Sequence, residues 1–150
     1  MPAERAPAPP AAAGPSPWTV HETQTMMEAY LGAFLARGEF DHFFADDVVF
    51  SIEGTPQRAE GRAAVRQAIL FLHAVAFDAR PELKTLLAGR DTAVIEADFV
   101  GTHVAEYAGV PATGRSVRVP YSTVYDVRGG KLCALRAYMD TGALYRQLTA

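Results

Sequence analysis

Side chains able to move a proton near neutral pH are scarce in this 150-residue sequence, and of its four histidines His103 stands out. It closes a long extended stretch in which side chains alternate between two faces. If His103 points inward, so do Ile95, Ala97 and Phe99, while Glu96 and Asp98 point outward. A neutral imidazole on such an apolar face could take or return a proton. The same position also suits a histidine that hydrogen-bonds the following loop and shapes it. On the next strand Val117, Val119, Tyr121, Thr123 and Tyr125 share the inner face. Thr123 could orient a ligand there but cannot act as a base. Val48, Phe50 and Ile52 supply a floor, with Leu135 and Met139 from the last strand as further contacts for a bound molecule. Asp140, where that strand ends, suits a helix N-cap or the rim of the hollow. The composite is apolar and aromatic with a few polar points, as small-molecule sites are.

Other titratable groups carry less. Asp41, His42, Asp46 and Asp47 have metal-ligand chemistry, but the intervening Phe43 and Phe44 demand burial, and the acids fit a helix end and a turn. His73 is expected on the flank of a helix and His21 in solvent. Cys133, the single cysteine, falls in a strand and reads as a small buried hydrophobe. No metal and no organic cofactor is expected.

The elements that would position these residues follow from patterning. Thr19 with Glu22 three residues later forms a capping-box signature. Met27, Tyr30 or Leu31, and Phe34 then recur at helical spacing until Arg37-Gly38. A short helix over 39–44 is followed by a strand over 48–52. A third helix is expected from Gly61 to about Phe77, with Val65, Ile69, Leu72 and Ala76 on one side. The period then changes to that of strands over 82–88, 92–104, 116–127 and 131–139, before a last helix over 141–148. Helices followed by a long meander define an α+β fold. A strongly curved sheet with helices on its concave side would enclose a cavity.

Composition narrows the partners. Fourteen basic residues are scattered among 17 acids, for a net charge of -3, so there is no basic footprint for nucleic acid. No apolar run approaches the ~20 residues of a membrane helix. Residues 1–17, rich in Ala and Pro, read as a disordered tail before a domain over 18–150, since the prolines interrupt any signal-peptide core. A cytoplasmic setting is the resulting expectation.

Three stretches carry a resemblance: Glu28 to Asp41 with Phe44 to Phe50, Gly101-Thr-His103 through Pro111-Ala-Thr-Gly-Arg115 to Val117, and Gly129 to Asp140 with Gln147-Leu148. Together they resemble the SnoaL-like polyketide cyclases of the nuclear transport factor 2-like superfamily, which also holds ketosteroid isomerases and limonene epoxide hydrolases. The resemblance implies a cone-shaped α+β barrel, a curved antiparallel sheet wrapping N-terminal helices. It implies a cyclase or isomerase that acts without cofactor, by acid–base catalysis, on a hydrophobic polyketide-like or terpenoid-like molecule. His103 would transfer the proton, with Tyr30 and Tyr121 donating to a developing oxyanion; the helical spacing of Tyr30 by itself favours a core aromatic. A homodimer is implied as well. The carboxylates such relatives use correspond to Ile52, Thr123 and Ala137, none of them acidic. That departure equally suits a non-catalytic binding protein, or a structural homodimer module.

Overall fold

Thr19 opens the first helix with a reciprocal cap. Its hydroxyl accepts from the Glu22 amide, and the Glu22 carboxylate accepts from the Thr19 amide at 2.7 Å. Helix α1 (Val20–Leu35) then buries Met26, Met27, Tyr30 and Leu31. A computed structural model of the chain describes residues 18–150; the stretch expected to be a tail, 1–17, lies outside the described residues.

A single 3-10 turn, Asp41–Phe43, stands where a short helix was expected. Seven strands follow: β1 (Phe44–Ile52), β2 (Arg58–Glu60), β3 (Phe77–Ala79), β4 (Glu82–Ala88), β5 (Thr92–His103), β6 (Ser116–Arg128) and β7 (Lys131–Met139). They form one sheet in the order β2-β1-β7-β6-β5-β3, with β4 paired to β5 next to β3. All pairs are antiparallel except β1 with β7, so the sheet is mixed and not purely antiparallel. Strand β1 needs only a short partner, β2, at its outer edge.

Helix α2 (Arg62–Leu70) ends earlier than the apolar spacing predicts, because the chain widens into a π-helical turn, Phe71–Val75. The Ala76 amide closes that turn on the Phe71 carbonyl at 2.8 Å. Phe77, expected to end the helix, is instead the first residue of β3. Helix α3 (Thr141–Thr149) lies against β6. With α1 against β4 and β5 and α2 against β1, the curled sheet closes around its helices as a half-barrel.

Alternation sorts the strand faces as expected. Ala93, Ile95, Ala97, Phe99 and His103 of β5 are buried, as are Val117, Val119, Thr123 and Tyr125 of β6. On the outer face Arg136 pairs with Asp126 at 2.6 Å. Asp98 is held by Lys84 at 3.1 Å and by Arg118 at 2.9 Å, which keep its carboxyl below the usual range. No helix among the described residues is long and apolar enough to cross a membrane.

Candidate functional site

The core consists of two apolar clusters. One joins α1, α2 and the inner faces of β1, β5, β6 and β7; the other gathers Phe77, Phe99, Tyr107, Val119 and Leu144. Between them lies a partly open, apolar hollow. Tyr30, Tyr121, Phe50, Ile52, Phe99, Thr123, Leu135 and Met139 all line it, as their strand and helix faces predict. No Asp, Glu, Lys or Arg lines it among the described residues.

Tyr30 is packed on every side. Phe43, Phe44 and Tyr125 surround its ring at centroid distances of 5.9, 5.8 and 6.0 Å. Burial raises its pKa well above the ordinary tyrosine value, and the neighbouring Tyr121 raises it further. Burial does the same for Tyr121. In Tyr125 burial and both of those phenols outweigh an opposing hydrogen bond with Thr123. These phenols therefore stay protonated throughout the physiological range. They are hydrogen-bond donors in an apolar hollow, where a donor acts strongly on any oxygen that gains charge.

Two expected site residues lie elsewhere. His103 is completely buried but does not line the cavity. It sits directly across from Phe77 in the β3–β5 ladder, with the Phe77 ring 5.2 Å from its own. Its Nδ1 accepts from the Thr113 amide at 3.2 Å and meets the Thr113 hydroxyl at 2.9 Å. An N–H donated to Nδ1 leaves the ring proton on Nε2, which has no partner among the described residues. The ring thus faces the interior but fastens the loop after β5 instead of entering the hollow. Asp140 is exposed and caps α3, accepting from the Ala143 amide at 2.9 Å.

His73, expected on a helix flank, lines the cavity instead. The π turn carries it, and Phe34 and Phe99 meet its ring edge-on at 4.9 and 5.3 Å. Its Nδ1 lies 2.8 Å from the Ile69 carbonyl. Burial lowers its pKa to about 4, and the charge of Arg37 adds to this against the opposing Ile69 bond. Spacing held a signal for this placement: Val65, Ile69 and His73 are separated by four residues each. Tyr107, from the loop after β5, and Leu144 of α3 complete the wall.

The low pKa of His73 makes stability depend on pH. In the unfolded chain the ring titrates near 6.5, so as pH falls below that value the unfolded state gains a proton that the folded state refuses. Stability is lost between pH 6.5 and about 4, and the loss ceases once the folded ring also protonates. Its size is at most about 3 kcal/mol. Urea midpoints of wild type and His73→Phe at pH 7 and 4.5 should show a steeper decline in wild type. Equal declines would place the ring in water.

The SnoaL-like polyketide cyclase family profile matches residues 24–148. A search of curated proteins finds no match. Solved structures match along nearly the whole chain. One is a protein from Jannaschia sp. CCS1 named as a SnoaL-like polyketide cyclase, with TM-score 0.76 and 18% identity over 91% of this chain and 97% of that one. TsrD from Streptomyces laurentii gives 0.71 at 27% identity over 85% and 95%. A protein from Kribbella flavida DSM 17836 named as a ketosteroid isomerase gives 0.64 at 17% identity over 83% and 82%.

Proposed function

The chain belongs to the SnoaL-like polyketide cyclase family, and from that premise we propose that its cavity binds a largely apolar, oxygen-bearing molecule of polyketide or terpenoid type and promotes its ring closure or proton shift. One observation carries this reading: Tyr30 and Tyr121, held protonated by burial, line a hollow otherwise walled mostly by hydrocarbon. A carbonyl oxygen facing them would gain hydrogen bonds that strengthen as it becomes an enolate. Thr123, Phe50, Ile52, Phe99, Leu135 and Met139 would hold the carbon skeleton near its closing geometry, which removes an entropic barrier.

The test uses two substrate types, a β,γ-unsaturated bicyclic ketone and a linear aromatic poly-β-ketone ester. Ultraviolet absorbance follows conjugation of the first, and mass spectrometry follows loss of water on closure of the second. Turnover of either above the uncatalysed rate is the expected result. Among the described residues no carboxylate lines the hollow, which favours a second reading, a non-catalytic binding protein. Thermal stabilisation by these ketones without product would select it.

We further propose a homodimer through the outer sheet face. Tyr138 is exposed there, and Val94, Val100 and Val124 are only partly covered. A monomer in sedimentation experiments would refute it.

A further inference from the structure

We propose that His73 is the proton acceptor of the cavity, and that the molecule bound there carries a hydroxyl or acidic C–H facing His73 and a carbonyl facing Tyr30 and Tyr121. This inference rests on the reading of the cavity as a ligand site and assigns the group that sequence alone gave to His103.

The tautomer follows from one contact. A carbonyl oxygen can only accept, so the Nδ1 that meets the Ile69 carbonyl at 2.8 Å must carry the ring proton. The lone pair then belongs to Nε2, the polar atom that this ring offers to a ligand. The ring is fixed as well as polarised: Phe34 and Phe99 clamp it edge-on, and the guanidinium of Arg37 donates to the His73 carbonyl at 3.4 Å. A π turn places it, a distortion that recurs at functional sites.

The charged and titratable surroundings are consistent with an acceptor. Arg37, from the end of α1, is paired with Asp78 of β3; the phenols of Tyr30, Tyr107, Tyr121 and Tyr125 line the same hollow. None of these is a carboxylate in contact with the ring that would stabilise a resting imidazolium, so the ring waits neutral at physiological pH. A proton becomes acceptable when an anion forms beside it, because the new pair then adds no net charge to the apolar hollow.

Donor and acceptor line the same hollow, and both meet the Phe34 ring, 6.2 Å from the Tyr30 ring and 4.9 Å from the His73 ring, so the two rings are no more than about 11 Å apart. A two-ring skeleton or a folded chain of alternating carbonyl and hydroxyl carbons spans such a gap. In the ring closure, Nε2 removes a proton from the carbon between two carbonyls. The C–H electron pair moves into the enolate, whose oxygen the phenols hold. The enolate carbon then bonds to a second carbonyl carbon of the same chain. The alkoxide so formed takes the proton back from Nε2, and no other reactant is needed.

The test compares 2-naphthol with 2-methoxynaphthalene, which keeps the oxygen and lacks the donor hydrogen. Calorimetric titration of the wild type should favour the naphthol. His73→Phe and His73→Met each remove the acceptor while keeping an apolar side chain. Either folded variant should weaken naphthol binding about 3- to 10-fold and leave the ether unchanged. Equal weakening of both compounds, or of neither, would overturn the role of His73 while the cavity still binds. Failure of the wild type to bind either compound would overturn the cavity reading, and this inference with it.

Discussion

Replacing Tyr30 with Phe is expected to lower turnover about 10²–10³-fold without loosening the fold. The hydroxyl of Tyr30 has no hydrogen-bond partner among the described residues, and burial alone, with Tyr121 nearby, raises its pKa. Removing that oxygen therefore breaks no structural bond, and the ring that packs against Phe43, Phe44 and Tyr125 stays. Urea midpoints of wild type and variant should agree within about 0.5 kcal/mol. What disappears is a donor to an oxygen that becomes an anion only in the transition state. Turnover should thus fall more than affinity for the ketone. Tyr121→Phe should act in the same direction, and the double variant by less than the product of the two, since both donors serve one oxygen. A Tyr30→Phe enzyme as fast as wild type would return this residue to the role of a core aromatic.

The second large effect concerns the fold. Gly101 lies opposite Ala79 in the β3–β5 ladder. A Cβ at Gly101 would sit 2.6 Å from the Ala79 Cβ, 2.7 Å from the Asp78 carbonyl oxygen and 2.8 Å from the Ala79 Cα. Two of those three atoms are backbone, so a rotamer change cannot relieve the clash, and the strands must part. Parting them withdraws Phe77, whose ring covers both His103 and Phe99. Gly101→Ala should therefore cost about 3 kcal/mol, the upper end for overpacking. That is a fall of roughly 10 °C in melting temperature. An unchanged melting temperature would mean that β3 does not pack here.

The same strand explains what the sequence could and could not convey. Alternation along β5 correctly put His103 on the inner side with Ile95, Ala97 and Phe99. Parity yields a face, however, and says nothing about how far along that face the cavity extends. Phe77 of β3 packs on both Phe99 and His103, and β3 is three residues long, hidden between a helix signal and Pro81. No periodicity can be read from so short a strand. Helix α1 was legible to its first residue because a capping box and an apolar stripe agree. His73 was misplaced for a different reason. Its four-residue spacing from Val65 and Ile69 pointed into the hollow, but the adjacent Leu72 already filled the apolar stripe; both side chains line the hollow. Position on an inner face was enough to place Phe50, Ile52, Thr123, Leu135 and Met139 in the lining. Asp140 sits one residue beyond its strand, and the amides of α3 claimed it.

A calorimetric comparison of 2-acetonaphthone with 2-ethylnaphthalene, molecules of nearly one shape, bears most directly on whether phenol groups inside the hollow grip a ligand oxygen. Wild type should bind the ketone about tenfold more tightly than the hydrocarbon, and the Tyr30→Phe, Tyr121→Phe double variant should bind the two alike. An identical preference in both proteins would show that those hydroxyls do not hold the oxygen.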